Sequence, residues 1–580
     1  MNSGNTALAW SCASCDRETV RALARALEIP PLVAQLLIVR GAETPELGYQ
    51  FLNPSADHLC DPFELSGVDH AVERLRLARD RREKVLVFGD YDVDGITGTA
   101  ILYNALREYG IPSCAYDMPN RLEEGYGINP ERVYQARDEK VNLIVTVDNG
   151  VTAREAAEAA RAAGVDLIIT DHHEPEGQLP CAGIIIDPKL DGAGHPCHEI
   201  CGAAVAFKLA TALTGKTSDL DLVALGTVAD IVPLRGENRA LVALGLREAP
   251  ARLRPGLIKL AQVARVNLET LTARNVAYQL APRINAGGRL GDGIAGMDLI
   301  LADSLETAEP IARELDRVNT ERRDIESAIL EDAQAELRET FNAQQRSIVL
   351  ARRGWHQGVI GIVASRLQRH FYRPVALVAI DGDGMGRGSV RGIPEFDVSS
   401  ALTACSEFLV KFGGHRAAGG LTIAEEHLQA FQTAFESEAA RQLDGNELRR
   451  GLPIDALISF TQIDGQLLRY IDLLEPYGHG NAEPVFCTYG AEIVLQSCRL
   501  LRGGHLRLVL RSDGRQFPAI AFQMGDLYDT LRHVPLVDAA FTPQLNTYRN
   551  ETTIQLVLKD IRPAGGPSGD ADSPFGREDS

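Results

Sequence analysis

Acidic and histidine side chains stand directly after three short apolar runs of this 580-residue sequence. The runs, residues 85–88, 143–147 and 167–170, have the length and composition of buried strands. A further aspartate lies inside the apolar segment 228–232. Carboxylates and imidazoles bind divalent cations, so these side chains are candidate ligands of a metal centre. They are Asp90, Asp92, Asp94, Asp148, Asp171, His172, His173 and Asp230.

The number of carboxylates in this set predicts two metal ions. Several buried carboxylates close together repel one another, and divalent cations between them remove that repulsion. Carboxylates alone suit Mg²⁺, whereas added imidazole shifts the preference toward Mn²⁺. Paired ions about 3.5–4 Å apart are a recurring device for hydrolysing phosphate esters. The residue types therefore predict a phosphoesterase that uses two Mn²⁺ or Mg²⁺ ions, with one aspartate bridging them.

Each motif also has a simpler interpretation. Residues 90–95 could form a calcium-binding loop, but an EF-hand requires a later glutamate and flanking helices, whereas a predicted strand precedes this segment. Residues 171–173 alone could form a turn, and Asp148 alone could cap a helix. The occurrence of all three after successive predicted strands favours one shared metal centre over three separate explanations.

The surrounding elements alternate between strands and helices. The three apolar runs and a fourth, residues 184–186, predict buried strands, and helical periodicity predicts helices between them, among them residues 96–109 and a helix capped by Thr152. Apolar strands that alternate with helices form a parallel sheet covered on both faces. Open parallel sheets bind ligands at the C-terminal ends of their strands. We therefore expect the candidate ligands to converge at that edge.

The rest of the chain predicts further domains in an α/β multidomain protein. A long amphipathic helical pattern follows the first α/β segment, and Pro310 near its start is expected to kink or split it. A second, glycine-rich α/β segment and then short strands with turn signals come next. The predicted divisions are an N-terminal helical lead-in (1–66), the catalytic domain (67–300), the connecting helix (301–342), a smaller α/β domain (343–450), a small β-barrel (451–562) and a disordered tail (563–580).

Composition is that of an ordinary globular protein, with 45% hydrophobic and 24% charged residues. No apolar stretch predicts a transmembrane helix, and the N-terminus does not resemble a secretion signal, so we expect no membrane association and a cytoplasmic location. Ten cysteines are too few for a disulfide scaffold. The close pairs Cys12/Cys15 and Cys197/Cys201 are far apart in sequence and differ in spacing, so reduced thiols are favoured over a zinc site. The net charge of −20 argues only weakly against nucleic acid, because clustered metal ligands contribute to it.

A second set of residues has the chemistry of a phosphate-binding surface. Arg387, Ser389 and Arg391 are spaced by two, which places them on one face of a strand. The pair Arg283 and Asn285 has the same spacing. The Gly413-Gly414-His415 segment offers open backbone N–H groups of the kind that bind anions. Guanidinium groups fit phosphate oxygens, so these clusters predict a phosphorylated substrate.

Taken together, the motifs resemble the DHH phosphoesterase superfamily, and within it the RecJ branch. The segments that carry the resemblance are residues 90–95, 148–150 and 171–173 with Asp230 for the DHH motifs, 413–420 for the glycine-histidine motif of the DHHA1 partner domain, and 119–121, 125–127, 355–361 and 477–481 for further RecJ-like motifs. The resemblance covers residues 40–562. It implies a parallel-sheet DHH domain, a long connecting helix, a smaller α/β DHHA1 domain and a C-terminal OB-like β-barrel.

The resemblance also implies roles for individual residues. The implied metal ligands are Asp90, Asp92, Asp94, Asp148, His172 and Asp230, with Asp148 as the bridging ligand. His173 is expected to support the site or contact the scissile phosphate, and Asp171 to orient a histidine. The implied substrate contacts are Arg121, Tyr126, which could stack on a base, Arg283, Asn285, Arg387, Ser389, Arg391, Gly413, Gly414 and His415. In the barrel, Arg499, Arg502, His505, Arg507 and Phe522 are plausible contacts.

The activity implied by the resemblance is 5′-3′ exonucleolytic hydrolysis of single-stranded DNA to mononucleotides, in DNA repair and recombination. Single-stranded DNA, a single-strand-binding protein and a RecQ-type helicase are the implied partners, and a monomer is expected. Two alternatives are considered. One is a DHH phosphodiesterase or pyrophosphatase acting on short oligonucleotides, cyclic dinucleotides or pyrophosphate, and the other is an inactive DHH scaffold of a replication complex. The chain length and the retained acidic residues argue against them.

Overall fold

The computed structural model describes residues 8–120, 125–290, 293–445, 448–494, 496–548 and 551–565. Arg121 and most of the predicted tail lie outside these residues. The chain divides into two compact units. The larger unit contains Cys60–Val232 and Leu244–Leu448, and the smaller unit contains the segment up to Leu59, Pro233–Ala243 and the chain from Arg449.

Strands and helices are numbered separately along the chain. The strands are β1 Ala9–Cys12, β2 Lys84–Phe88, β3 Ser113–Asp117, β4 Leu143–Val147, β5 Asp166–Thr170, β6 Ile184–Ile186, β7 Ile348–Arg353, β8 Val375–Ile380, β9 Met385–Arg391, β10 Lys411–Gly414, β11 Ala418–Ala424, β12 Gly451–Ile454, β13 Ala456–Leu457, β14 Phe486–Ile493, β15 Arg499–Leu501, β16 His505–Ser512, β17 Arg515–Ala521, β18 Leu536–Tyr548 and β19 Glu551–Pro563. The helices are α1 Arg17–Leu27, α2 Pro31–Val39, α3 Pro45–Leu52, α4 Val68–Arg81, α5 Val93–Tyr109, α6 Pro130–Asp138, α7 Arg154–Ala163, α8 Gly202–Thr214, α9 Leu220–Ala229, α10 Gly236–Arg252, α11 Pro255–Ala264, α12 Ala273–Asn275, α13 Ala281–Leu290, α14 Ile294–Leu301, α15 Leu305–Thr340, α16 Ile360–Phe371, α17 Val398–Ala404, α18 Leu428–Gln442, α19 Gly465–Leu473 and α20 Tyr528–Leu531.

The first domain of the larger unit is built on a parallel sheet with strand order β3-β2-β4-β5-β6. The buried residues of β2, β4 and β5 pack against α6 and α7 on one face, while α5 and α8 contact the same strands from the other. All four predicted strands are present. The edge strand β3 was missed because its sequence, Ser-Cys-Ala-Tyr-Asp, is not an apolar run.

Two predicted details of the helices are wrong. Thr152 does not cap a helix, because α7 begins at Arg154 and its N-cap residue is Ala153, without a side-chain hydrogen bond. Pro310 does not split the long helix into two, since α15 runs unbroken through it. A proline in the second turn removes one backbone hydrogen bond, and the remaining length of the 36-residue helix tolerates that loss.

The second domain of the larger unit is a mixed sheet with strand order β10-β11-β9-β8-β7, in which only the β7–β8 pairing is parallel among the described strands. One face is covered by α16 and the C-terminal half of α15. The other face packs against α17 and α18 through Phe431 and Phe435. The long helix therefore belongs to the cores of both domains, because its N-terminal half also packs against α11 and α13.

The smaller unit contains a seven-stranded sheet with order β13-β14-β18-β19-β17-β16-β15. An additional pairing between β14 and β16 joins distant parts of this order and closes a barrel. Leu506, Leu508 and Leu510 alternate along β16 and point into its core. The predicted helical lead-in contributes α1, α2 and α3, but it also contains β1, an unpredicted strand that pairs in parallel with β12.

Among the described helices, none is by itself long and apolar enough to cross a membrane. The bent pair α1 and α2 meets that test in length and composition alone. Both helices supply buried residues to the core of the smaller unit, including Leu23, Leu36 and Leu37. This burial accounts for their apolar composition.

Candidate metal centre and substrate-binding surface

The C-terminal ends of three neighbouring strands bring the predicted ligands together. Asp90 follows β2, Asp148 follows β4 and the Asp171-His172-His173 segment follows β5. These strands are adjacent and parallel in the sheet, so their ends lie along one edge. At this edge, the described residues form three groups of potential ligands whose ligand atoms lie within 4.8 Å of one another: Asp90 with Asp92 and Asp148, Asp148 with His172 and His173, and Asp94 with His172 and Asp230.

The shared members of these groups show how the cluster is connected. Asp148 belongs to two of the groups, and His172 also belongs to two. The Nε2 atom of His172 lies 3.0 Å from Asp148 Oδ1 and 3.7 Å from both Asp94 Oδ2 and Asp230 Oδ2. Asp148 and His172 therefore connect the group that contains Asp90 with the group that contains Asp94.

Asp94 is fixed at the N-terminus of α8. Its Oδ2 accepts a hydrogen bond of 2.7 Å from Gly202 N, and its Oδ1 accepts one of 2.9 Å from Ala203 N. A helix N-terminus presents unsatisfied N–H groups and a partial positive charge, which favour an anion. The carboxylate is 1% exposed, so these two bonds define its orientation in the cluster.

Asp92 has a local structural role as well as its place in the cluster. It is the N-cap of α5, and its Oδ1 accepts hydrogen bonds from Asp94 N and Gly95 N. The next amide, Val93 N, donates to Asn285 Oδ1 over 3.0 Å. Asn285, predicted as a substrate contact, therefore contacts the loop that carries the acidic residues.

Asp148 has a left-handed backbone conformation, with φ +63°. Non-glycine residues in this region are strained and concentrate at functional sites. Its carbonyl accepts a hydrogen bond of 2.8 Å from the Tyr126 hydroxyl. A Cβ added at Gly202 would lie 2.6 Å from Asp148 Cβ, so glycine is required there for α8 to approach the carboxylate.

Burial has a large effect on the protonation of this cluster. It raises the pKa of Asp94 and Asp148 above the usual carboxyl range, and the neighbouring aspartates add to the effect for Asp148. For Asp230, burial and then Asp94 raise the pKa to about 9. Several carboxylates in one buried place resist ionising together, which is the electrostatic signature of a cation-binding site.

The donor atoms present fit a divalent cation. Asp148 Oδ1 and His172 Nε2 are buried and form no hydrogen bond within the described part of the chain. Burial lowers the pKa of His172 to about 4, with Asp94 acting in the opposite direction, so its imidazole is neutral and keeps a lone pair for a metal. Carboxylate oxygens with one neutral imidazole form a donor set suited to Mn²⁺ or Mg²⁺. The acidic and imidazole groups are therefore positioned to bind these ions.

His173 is held differently from His172. Its Nδ1 contacts Asp171 Oδ1 over 2.7 Å and lies 3.1 Å from the Tyr126 hydroxyl. Burial would lower the pKa of His173, but the hydrogen bond and charge of Asp171 outweigh it and raise the pKa to about 9. Asp171 also accepts a hydrogen bond from Val151 N. Asp171 thus both orients the Nδ1 of His173 and favours its protonated imidazole.

One acidic residue near the site was missed by the sequence analysis. Asp187 directly follows β6, is 2% exposed and has a pKa raised to about 7, chiefly by burial. Its Oδ1 accepts from Lys189 N, whereas Oδ2 makes no hydrogen bond in the part of the chain that the structure describes. The strand-end rule applied to residues 184–186 would have found it.

The predicted phosphate-binding residues of the second domain lie on β9, as their spacing indicates. Arg391 Nη1 donates to Ser389 Oγ over 2.8 Å. The N-terminal turn of α16 lies beside this pair, because a Cβ added at Gly361 would be 2.9 Å from Ser389 Oγ and 3.0 Å from Arg391 Nη2. Arg387 lies further along the strand and is exposed. Ser389, Arg391 and the start of a helix together form a surface suited to a phosphate group.

The other predicted substrate residues are arranged differently from the sequence prediction. Arg283 and Asn285 lie on helix α13 rather than on a strand, so their spacing by two places them on different sides. Arg283 is already paired with Asp316 over 2.8 Å. Gly413 and Gly414 belong to strand β10, where they pair with β11, so they form an exposed sheet edge and no anion-binding turn.

The remaining predicted contacts lie in the β10–β11 turn and in the barrel. Exposed His415 begins the turn between β10 and β11, with its N–H donating to Ala418 O. In the barrel, Arg499 and Arg507 stand opposite each other on β15 and β16. The rings of His505 and Phe522 are 5.3 Å apart, and Phe522 is 52% exposed. Basic and aromatic side chains thus share this part of the barrel, a combination suited to single strands.

Comparison with protein families gives matches along most of the chain. Residues 84–227 match the "DHH family, N-terminal domain", residues 344–441 the "DHHA1 domain" and residues 454–560 the "RecJ OB domain". The fold predicted from the sequence, a parallel-sheet DHH domain followed by DHHA1 and OB domains, is therefore confirmed.

Individual relatives and solved structures agree with the family matches. The chain is 34% identical to the "Single-stranded-DNA-specific exonuclease RecJ" of Escherichia coli (strain K12), over 92% of this chain and 96% of the relative. It is 37% identical to the protein of that name from Thermus thermophilus, over 93% and 78%. The crystal structure of RecJ in complex with Mn²⁺ from Thermus thermophilus superposes with a TM-score of 0.82 at 33% identity, covering 96% of this chain and 80% of that one. The Mg²⁺ complex gives 0.77 at 31%, covering 96% and 79%. With its metal-binding cluster and its three matched domains, the chain belongs to the RecJ family of DHH phosphoesterases.

Proposed function

We propose that this protein is a divalent-metal-dependent exonuclease that hydrolyses the phosphodiester bonds of single-stranded DNA. The observation that carries the proposal is the buried cluster in which Asp148 and His172 join two groups of metal ligands. A cluster of this kind is suited to phosphoryl chemistry. The names of the relatives, single-stranded-DNA-specific exonucleases, support the choice of substrate.

The cluster offers two places for a metal ion. Asp90, Asp92 and Asp148 would hold one ion, and Asp94, His172 and Asp230 the other, with Asp148 next to both. The ions supply Lewis-acid activation of water and stabilise the charge that develops on the phosphate oxygens. Asp94 is suited to its position because the two N–H groups of α8 fix its oxygens independently of any ion.

His173 contributes charge and a hydrogen-bond donor to the reaction. Because its Nδ1 is directed toward Asp171, the Nε2–H is the group left to contact a phosphate oxygen. Its raised pKa, about 9, favours the protonated imidazole. A positioned cation stabilises a transition state whose phosphate carries additional negative charge.

The strand would be held by residues of the second domain. Ser389 and Arg391, beside the start of α16, would bind a backbone phosphate, and Tyr126, which is 48% exposed, would contact a base near the metal cluster. The exposed Arg387 and the β10–β11 edge with His415 would contact the strand further along. Release of mononucleotides in the 5′-3′ direction, with a role in DNA repair and recombination, is part of the proposal.

The proposal also includes the domain ranges, the oligomeric state and the partners of the protein. The matched segments 84–227, 344–441 and 454–560 support the ranges of the catalytic domain, the smaller α/β domain and the barrel, and α15 supports the range of the connecting helix. We propose that the protein acts as a monomer in the cytoplasm, together with a single-strand-binding protein and a RecQ-type helicase.

An end-labelling assay tests the proposed function. Single-stranded DNA labelled at either end, a duplex of the same sequence and a dinucleotide are each incubated with the protein and Mn²⁺, Mg²⁺ or EDTA. The proposal predicts rapid release of labelled mononucleotide from the 5′ end of single strands, and none in EDTA. Cleavage of the dinucleotide alone would place the protein among the phosphodiesterases of short substrates. No cleavage with either ion would favour the inactive scaffold.

A further inference from the structure

Ile231 occupies an unusual position next to the metal cluster. It directly follows Asp230, whose Oδ2 lies 3.7 Å from His172 Nε2. Asp230 is the C-cap residue of α9 and donates its N–H to Gly226 O. Ile231 therefore occupies the first position beyond the helix, with φ +64° and a side chain that is 67% exposed.

Isoleucine is an unfavourable residue type for the left-handed backbone conformation at position 231. The position after a helix C-cap is commonly left-handed, and glycine is its usual occupant. Among the described non-glycine residues with positive φ, Ile231 is the one with a β-branched side chain, the class for which this conformation is least favourable. Exposure means that burial in the fold offsets little of the strain. Helix termination alone would favour glycine or asparagine at this position.

We propose that the Ile231 side chain is a substrate contact, which packs against the apolar face of a sugar or base beside the scissile phosphate. A DNA strand whose phosphate is bound at the cluster would pass close to Asp230, and Ile231 is the next residue along the chain. Strained residues are concentrated at functional sites, and this one presents an apolar side chain to solvent next to the metal cluster. The inference rests on the proposed function and adds a contact that does not depend on phosphate charge.

Three variants separate this role from a structural one. Ile231→Gly relieves the strain and removes the side chain. Ile231→Asn introduces a polar side chain whose residue type tolerates the left-handed conformation. Leu253→Gly is the matched control, because Leu253 also has positive φ (+51°) and is 65% exposed, but lies outside the cluster and follows α10. Both glycine variants are expected to raise the midpoint of thermal unfolding by about 1–3 °C.

The test is steady-state degradation of single-stranded DNA with Mn²⁺, together with thermal unfolding. For Ile231→Gly and Ile231→Asn, we expect KM to rise about five- to tenfold, as for loss of one buried apolar side chain, while Leu253→Gly keeps the wild-type KM. A wild-type KM in Ile231→Gly, with the same gain in stability, would show that Ile231 only ends the helix and would overturn the inference alone. A wild-type protein that neither binds nor cleaves the strand would overturn the proposed function and this inference with it.

Discussion

Substituting Gly202 by alanine is expected to displace Asp148, a proposed metal ligand, while every proposed ligand residue is kept. Gly202 is the first residue of α8, and the added Cβ would lie 2.6 Å from Asp148 Cβ and 2.8 Å from both Asp148 Cγ and Oδ1. Ordinary contacts at such a position begin at 3.4 Å. The carboxylate or the start of the helix must therefore move by about 0.4–0.8 Å.

The size of that shift determines the expected effect. Metal–ligand distances are defined to about 0.2 Å, and a misplacement of about 1 Å at a catalytic centre costs roughly 100-fold in rate. The left-handed backbone at Asp148, φ +63°, leaves the carboxylate few ways to move aside. We expect Gly202→Ala to lower kcat with Mn²⁺ about 100-fold and to weaken metal binding.

The assay compares Gly202→Ala with Gly194→Ala, since Gly194 has open space around its position and no positive φ. Both variants are assayed for degradation of single-stranded DNA over a range of Mn²⁺ concentrations, and their folding is checked by circular dichroism. Gly194→Ala should behave as wild type. If folded Gly202→Ala kept a kcat within threefold of wild type, the close approach of α8 to Asp148 would not matter for catalysis, and the reasoning would be refuted.

Three further predictions concern the cluster and the phosphate surface. Asp148→Ala should abolish cleavage while circular dichroism shows a native fold; near-normal rates with Mn²⁺ would make the two-ion assignment wrong. Arg391→Ala should weaken binding of single-stranded DNA by about 10–100-fold, as for loss of a charge-assisted hydrogen bond, with unchanged Mn²⁺ affinity by calorimetry. In EDTA, stability should fall as pH rises from about 4 to about 9, because the pKa of Asp230 is raised to about 9 in the folded protein and the folded state then binds more protons. Thermal unfolding at pH 6 and 8.5 checks this, and Asp230→Asn should reduce the difference; equal midpoints for wild type at both values would contradict it.

The strand-end pattern of the sequence predicted the architecture of the catalytic domain and the place of its acidic cluster. Apolar runs identify buried strands, and parallel strands end at one edge, so Asp90, Asp148 and His172 meet by topology alone. The same rule also applies to Asp187, which directly follows β6 and was not among the predicted residues.

Residue spacing was less reliable where the secondary structure was uncertain. Spacing by two was informative for Ser389 and Arg391, which lie on β9, and misleading for Arg283 and Asn285, which lie on a helix. A short polar segment is compatible with either structure, and tertiary packing decides between them. Pairings distant in sequence, such as β1 with β12, leave no local pattern to detect.

The central claim is that the cluster joined by Asp148 and His172 holds the ions that make the protein a nuclease. The most direct test strips the protein with EDTA, removes the chelator, and titrates Mn²⁺ while bound metal and single-turnover degradation of single-stranded DNA are measured together. We expect no cleavage without metal, full cleavage at two bound ions per chain, and neither full occupancy nor cleavage for Asp148→Ala. Cleavage by the metal-free protein, or full cleavage by Asp148→Ala, would contradict it.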